Sequence, residues 1–136
     1  MVRVQRDEVA QVRTQNDIVA VRQLVRRWAV ELGLSIVDQT KIVTAASELA
    51  RNTVEYGGGG TLRLELVEGD SARRGLRLTF EDQGPGIADI AQALTDGYTS
   101  GHGMGLGLGG SRRLVNDFEI VSAPGAGTRV TVVRWK

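Results

Sequence analysis

The sequence contains no cysteine and a single histidine, His102. The lack of cysteine excludes disulfides and thiolate metal sites, and one histidine cannot form a cluster of imidazole ligands. Aromatic residues make up 4% of the chain, and no apolar run reaches the ~18 residues that a membrane span needs. The first residues, MVRVQRDEVAQVR, lack the apolar centre of a signal peptide. We therefore expect a cytoplasmic protein that does not enter a membrane.

An excess of one charge is also missing, because 17 basic residues oppose 16 acidic ones and the net charge is +1. Nucleic-acid-binding proteins usually show a clear basic excess, so we expect no nucleic-acid partner. A chain of 136 residues suits one domain with one core. We predict a single domain over residues 1–136, with residues 1–7 disordered. Glycine, in contrast, is abundant, and nine of the 18 glycines lie between Gly84 and Gly110.

Two amphipathic helices are predicted in the first half of the chain. Apolar residues recur at steps of three and four after Asn16, a candidate N-cap, and end at Gly33, a candidate C-cap. A second helix is predicted from a cap at Asp38 to Tyr56, where four glycines follow. The buried faces consist of Ile18, Val21, Val25, Trp28 and Leu32 in the first helix and of Ile42, Ala45, Ala46, Leu49 and Thr53 in the second.

The remainder of the chain contains segments in which apolar and polar residues alternate, a pattern that predicts half-buried strands. Helices that cover one face of a mainly antiparallel sheet give an α+β fold, a two-layer sandwich. The predicted strands are residues 8–12, 62–66, 76–80, 118–121 and 128–135, with a short helix within 87–94, a loop at 97–103, a helix within 106–116 and a turn at 124–127.

The second predicted helix carries Glu48 and Asn52, which are four residues apart. This spacing places both side chains on the same side of the helix, about 6 Å apart along its axis. A carboxylate can act as a general base, and an amide oxygen suits Mg²⁺, which prefers oxygen ligands. The alternative is an ordinary solvated face of the helix.

Asp82 ends a predicted strand and is followed by the turn Gly84-Pro85-Gly86. Proline fixes one dihedral angle and glycine permits a sharp turn. A carboxylate at this place can accept a hydrogen bond from an exocyclic amine such as that of adenine. The alternative is a turn in which Asp82 merely bonds to its own backbone.

A run of glycines extends from Gly101 to Gly110 and precedes the third long predicted helix. Glycine backbone N–H groups and the start of a helix both favour phosphate. The alternative, a flexible linker, is typically rich in serine, whereas Met104, Leu106 and Leu108 alternate with these glycines. The dinucleotide-binding and phosphate-loop patterns do not apply, because no apolar strand precedes the run and no glycine-lysine-serine ending occurs.

In this order, the three motifs resemble the N, G1 and G2 boxes of the GHKL superfamily, whose ATP-binding module is the Bergerat fold. The resemblance runs from about residue 8 to the last residue and is closest to the RsbT-type serine/threonine kinases of bacterial stress signalling, which are related to the anti-sigma-factor kinases. It is carried by NDIVAVRQLVRRWAVELGLS, VDQTKIVTAASELARN, FEDQGPGIADI, DGYTSGHGMGLGLGG and SAPGAGTRVTVVRW.

This resemblance implies ATP and Mg²⁺ as cofactors. It makes Asn52 the Mg²⁺ ligand and Glu48 the candidate catalytic base. Asp82 would hold the adenine amino group, and the turn that follows Asp82 would lie close to the adenine ring. The other residues that the resemblance places at the nucleotide are Gly84 and Gly86 in this turn, Gly103, Gly105, Gly107 and Leu108 at the phosphates, and Thr128 near adenine.

The resemblance also implies phosphorylation of a serine or threonine on an antagonist protein of the STAS fold, held by its scaffold in a stressosome. Released from the antagonist, such a kinase activates a metal-dependent phosphatase of the PPM type. A protein-directed kinase fits the short separation of the G1 and G2 motifs. The first alternative is an anti-sigma factor or non-catalytic switch that sequesters a partner such as a sigma factor. The second is a hydrolytic ATPase.

Overall fold

The computed structural model describes residues 2–94 and 107–136. The described part contains five strands and four helices, with one 3₁₀ turn at Asp70–Ala72. The elements are β1 (Arg3–Val12), α1 (Gln15–Leu32), α2 (Ile36–Glu55), β2 (Gly60–Glu68), β3 (Arg74–Asp82), α3 (Ile90–Ala93), α4 (Gly107–Arg113), β4 (Asp117–Ser122) and β5 (Thr128–Trp135).

The five strands form one sheet in the order β1-β2-β3-β5-β4, and all four pairings are antiparallel. Alternate residues of the strands are buried together with the apolar faces of α1 and α2 in one core, which includes Leu64, Leu78 and Val132 from the sheet and Trp28 and Leu49 from the helices. The inward residues of the strands, which recur every second position, therefore pack against the apolar helix faces, whose residues recur about every 3.6 positions. The predicted α+β two-layer fold is confirmed.

The helix caps differ from the predicted ones. The N-cap of α1 is Thr14 rather than Asn16: Thr14 Oγ1 accepts a hydrogen bond from the N–H of Asp17, and the Asp17 carboxylate accepts one from the N–H of Thr14. Ser35 rather than Asp38 caps α2, because its hydroxyl accepts a hydrogen bond from the N–H of Asp38. A cap side chain reaches the N–H three residues ahead, so each helix begins earlier than predicted.

Other element boundaries also differ from those predicted from the sequence. The first strand begins at Arg3, and Arg3, Val4, Arg6 and Asp7 pair with β2, so the prediction of disorder is wrong for residues 3–7. The short helix within 87–94 is limited to Ile90–Ala93. The helix within 106–116 ends at Arg113, and Asn116 instead accepts a hydrogen bond from the N–H of Trp135. The predicted loop at 97–103 lies outside the described residues.

The predicted C-cap of α1 is confirmed, because Gly33 has the left-handed conformation with φ of 88°. Residues 124–127 form the predicted turn between β4 and β5. None of the helices among the described residues combines the length and the apolar character that a membrane span requires.

Candidate nucleotide-binding site

One row of residues crosses the end of the sheet. Asp82 pairs with Gly60 on β2 and with Thr128 on β5, and Thr128 pairs with Ser122 on β4. Directly paired residues of antiparallel strands project to the same face. This face is the helix-covered one, because Phe80 and Val130, two residues away along their strands, are buried in the core. The row therefore presents a carboxylate and two hydroxyls at the edge of the apolar core.

A cavity of about 400 Å³ opens between this row and α2. That volume lies within the ~300–1,000 Å³ range of small-molecule sites. Apolar side chains, including Leu49, Phe80, Ile87 and Val130, form part of its wall. The residues predicted from the sequence that line it are Glu48, Asn52, Asp82, Gly86, Gly107, Leu108 and Thr128. Gly103 and Gly105 lie outside the described residues.

Backbone and glycine contacts hold the Asp82 carboxyl group. Its Oδ1 accepts a hydrogen bond of 2.9 Å from the N–H of Gly84, so the turn predicted as the alternative for Asp82 is present. Gly57, in the loop after α2, lies so close that a Cβ there would be 2.5 Å from Oδ2. No described residue donates a hydrogen bond to Oδ2. The turn thus orients the carboxylate, and one oxygen stays available to a ligand.

The turn Gly84-Pro85-Gly86 packs against the turn between β4 and β5. The N–H of Gly125 donates a hydrogen bond of 2.7 Å to the carbonyl oxygen of Pro85. Gly86 has φ of +78°, and a Cβ on it would clash with the carbonyl oxygen of Ala123. Gly86 is therefore required both by its conformation and by the close approach of the two backbones.

Glu48 and Asn52 both point toward the cavity from α2, and neither lies on a solvated face. The Glu48 side chain is only 14% exposed, and its Oε1 is 3.8 Å from Nη1 of Arg51. Arg51 also lines the cavity. The same wall of the site thus contains a carboxylate, an amide and a guanidinium group, of which the last is suited to an anionic ligand.

Three residues of the site were missed in the sequence. Arg51 precedes Asn52 on α2, and this adjacency is a signal that could have revealed it. The four glycines after α2 predict the end of the helix but do not indicate that Gly57 contacts the site. Ser122 continues the alternation of Phe118 and Ile120 on β4, and this period of two predicts an inward-facing side chain.

The residues fit ATP together with Mg²⁺. The apolar wall suits a purine ring, and the free carboxylate oxygen of Asp82 suits an amine on its edge. Among the described residues, no group of three or more His, Cys, Asp or Glu side chains could hold a metal ion. Mg²⁺ is commonly bound by one or two protein oxygens and by the phosphates of its nucleotide, so Asn52 beside Glu48 is a sufficient protein contribution.

Residues 37–136 match the family described as histidine kinase-, DNA gyrase B-, and HSP90-like ATPases. The chain belongs to this family. Its predicted fold and its three sequence motifs agree with that membership, and ATP is the nucleotide that the family implies.

Individual relatives define the membership further. The chain is 47% identical over 122 residues to the serine/threonine-protein kinase RsbT of Bacillus subtilis (strain 168), with 90% of this chain and 91% of the relative covered. It is 28% identical over 127 residues to the anti-sigma F factor of Clostridium novyi (strain NT), with 87% and 85% covered. The predicted resemblance to the RsbT-type kinases is confirmed.

Solved structures support the fold. A crystal structure of the RsbU and RsbW domains of Rv1364c from Mycobacterium tuberculosis superposes with a TM-score of 0.66 at 22% identity, covering 97% of this chain. The chain spans only 33% of that longer chain. The mycobacterial sensor histidine kinase MprB gives a TM-score of 0.56 at 19% identity, covering 96% of this chain and 97% of that one.

Proposed function

We propose that this chain is a serine/threonine-protein kinase of the RsbT type that transfers the γ-phosphate of ATP to a hydroxyl group of a partner protein. One observation carries this proposal. A carboxylate, Glu48, shares the cavity with the elements of a nucleotide site, Asn52 and Asp82. A protein that only bound ATP would need Asp82 and the glycines but no such carboxylate. The 47% identity to a serine/threonine-protein kinase supports the same conclusion.

Each residue has a role in this proposal. Asp82 and Thr128 bind the polar edge of adenine, and Asn52 binds the metal ion. Mg²⁺ bound at Asn52 would neutralise part of the phosphate charge. The phosphates lie along the glycine run, of which Gly107 and Leu108 line the cavity and Gly103 and Gly105 precede them in sequence.

Glu48 acts on the incoming hydroxyl group. The hydroxyl oxygen attacks the γ-phosphorus, its proton passes to the Glu48 carboxylate, and ADP leaves with the oxygen that bridged the β- and γ-phosphates. Such a base typically contributes a factor of about 10²–10⁴ to the rate. Positioning and charge stabilisation supply most of the remainder in phosphoryl transfer.

The protein substrate in this proposal is an antagonist of the STAS fold, carried by its scaffold, and the second partner is a PPM-type phosphatase. The kinase itself acts in the cytoplasm. The identity to a serine/threonine-protein kinase supports a protein substrate. The antagonist and the phosphatase follow from the resemblance to the RsbT-type kinases. Phosphorylation of the antagonist would release the kinase, which would then activate the phosphatase.

The test is a transfer assay. The purified chain is mixed with [γ-³²P]ATP, Mg²⁺ and each STAS-domain protein encoded by the same genome, and label on a serine or threonine is measured. We expect label on at least one of them, and its loss on addition of EDTA. ATP binding without transfer to any of them would refute the kinase activity.

The second candidate is an anti-sigma factor or another non-catalytic switch, and the 28% identity to an anti-sigma F factor favours it. The two functions separate in Asn52→Ala, which removes the proposed metal ligand. If the wild-type chain transfers phosphate to no STAS-domain protein and the Asn52→Ala variant still captures a phosphatase or a sigma factor, the chain is a switch without kinase activity. Steady ATP turnover without any partner would instead indicate a hydrolytic ATPase.

A further inference from the structure

Ser122 lies at the centre of a hydrogen-bond cluster beside the cavity. Its Oγ accepts a hydrogen bond of 2.8 Å from the N–H of Ile87. The same Oγ donates a hydrogen bond of 3.0 Å to the carbonyl oxygen of Gly127 and lies 2.8 Å from Oγ1 of Thr128. Ser122 thus joins the segment after the Gly84-Pro85-Gly86 turn to the first residue of β5.

Only one set of bond directions makes all three contacts hydrogen bonds at the same time. A serine hydroxyl has one proton and two acceptor lone pairs. The N–H of Ile87 can only donate and the carbonyl oxygen of Gly127 can only accept, so the proton of Ser122 is directed to Gly127. The contact between the two hydroxyls is then satisfied only if Thr128 donates to Ser122. The proton of Thr128 is therefore directed toward Ser122 and not toward the ligand.

This arrangement determines what the cavity offers to a purine base. Thr128 lines the cavity with its proton already donated, so it presents only acceptor lone pairs. The carboxylate of Asp82, its neighbour across the strand pair, offers only acceptor oxygens to a ligand. Two adjacent acceptors suit the 6-amino group of adenine. A carbonyl oxygen at the same place, as in hypoxanthine or guanine, meets two acceptors and no donor.

We propose that Ser122 is a specificity-determining positioning residue, which sets the hydrogen-bond direction of Thr128 so that the site selects a 6-amino purine over a 6-oxo purine. The proposal rests on the proposed function, because it assumes that the cavity binds the base of a nucleotide. Loss of the Ser122 hydroxyl frees the Thr128 hydroxyl to rotate. Thr128 can then donate to a 6-oxo group, and the discrimination weakens.

The experiment measures the dissociation constants of the full chain for ATP and for inosine triphosphate, ITP, by isothermal titration calorimetry with Mg²⁺. ITP differs from ATP at the base in carrying a 6-oxo group. The wild-type protein should bind ATP more tightly. In Ser122→Ala the ratio of the two constants should shift toward ITP by about fivefold to tenfold, the size expected for one hydrogen bond. Ser122→Thr, which retains the hydroxyl, should show the same preference for ATP as the wild-type protein.

Two controls separate specificity from structural damage. General loosening of the site in Ser122→Ala would weaken ATP and ITP equally, and an unchanged ratio in a folded variant would overturn the proposal. Thr131→Val removes a hydroxyl from the same strand, where it pairs with Thr79 instead of lining the cavity, and should leave the ratio unchanged. In the double variant Ser122→Ala/Thr128→Val, the ratio should equal that of Thr128→Val alone, because Ser122 acts through Thr128.

The proposal can be tested even if Ser122→Ala does not fold. Equal binding of ATP and ITP by the wild-type protein would overturn it without any variant. Failure of the wild-type protein to bind either nucleotide would instead refute the nucleotide site of the proposed function. Tight ATP binding with a ratio that does not depend on Ser122 would refute only the role of Ser122.

Discussion

The Cα of Gly57 lies directly against the carboxyl group of Asp82, so that a Cβ on Gly57 would be 2.5 Å from Oδ2. Gly57 follows α2, the helix that carries Glu48 and Asn52, and its N–H bonds to the carbonyl oxygen of Asn52. Asp82 ends the central strand β3. The contact therefore couples the part of the site proposed to bind metal to the part proposed to bind the base.

Gly57→Ala should weaken ATP binding. The backbone at Gly57 does not have a positive φ, so alanine is unstrained there and acts only through its methyl group. That methyl group must displace the carboxyl of Asp82, and overpacking of this kind costs about 1–3 kcal/mol. We expect the dissociation constant for ATP to rise about tenfold or more in calorimetry.

The neighbouring Gly58 provides the matched control. A Cβ on Gly58 would meet nothing within 4 Å, but its φ is +75°. Asparagine tolerates that conformation, so Gly58→Asn should bind ATP as the wild-type protein does. Wild-type affinity in Gly57→Ala would show that the position of the Asp82 carboxyl is unimportant for binding.

Glu48→Gln should separate binding from transfer. The amide has the same shape as the carboxylate but cannot take a proton, so the rate of phosphoryl transfer should fall by about 10²–10⁴. The affinity for ATP should change by less than about threefold, because the adenine ring is held elsewhere in the cavity. Single-turnover transfer to the antagonist protein and calorimetry with ATP measure the two quantities.

Glu119→Gln is a matched control for Glu48→Gln. Glu119 is an exposed residue of β4 and does not line the cavity, so its replacement should leave both quantities unchanged. Transfer by Glu48→Gln at the wild-type rate would rule out Glu48 as the base. An equal loss of transfer and of ATP affinity would show that Glu48 contributes to ATP binding and not to the transfer step.

The sequence was sufficient to predict which residues of the site share a face, but not how the loops meet. A period of two along β3 and β5 orients Asp82 and Thr128 inward, and a spacing of four orients Glu48 and Asn52 together. The approach of Gly57 to Asp82 depends on how the chain returns from α2 to the sheet, which no local pattern specifies.

The helix caps show the same limit on a smaller scale. Thr14 and Asn16 are both good N-cap residues, and local preference does not decide between them. Thr14 is selected because Asp17 then lies three residues later and completes a reciprocal pair of hydrogen bonds. The network around Ser122 depends in turn on the register between β4 and β5 and on the contact with Ile87, which is 35 residues away in the chain.

The corrected cap can be tested by comparing two nearby exposed residues. Thr14→Ala removes the cap of α1 and should lower the free energy of unfolding by about 1 kcal/mol. Asn16→Ala, within the first turn, should change it by less than about 0.5 kcal/mol. Urea unfolding followed by circular dichroism measures both. A larger loss in Asn16→Ala than in Thr14→Ala would restore Asn16 as the cap.

The same capping box should make stability depend on pH at acidic values. The backbone N–H groups of Arg13 and Thr14 donate hydrogen bonds of 2.9 and 3.1 Å to the Asp17 carboxylate. These bonds, with the one from Arg13 foremost, hold the pKa of Asp17 below its ordinary value of 3.8. Because the folded state favours the ionised form, the stabilisation is present above pH 3.8 and is lost as the pH falls through the lower folded pKa.

Asp17→Asn keeps the shape of the side chain but not its charge, so it lacks this pH dependence. The wild-type protein should be more stable than Asp17→Asn at about pH 7, and the difference should shrink toward about pH 2.5. Urea unfolding at both pH values measures it, and other titrating groups contribute equally to both proteins. An Asp17→Asn difference that stays constant between the two pH values would show that the charge of Asp17 does not stabilise α1.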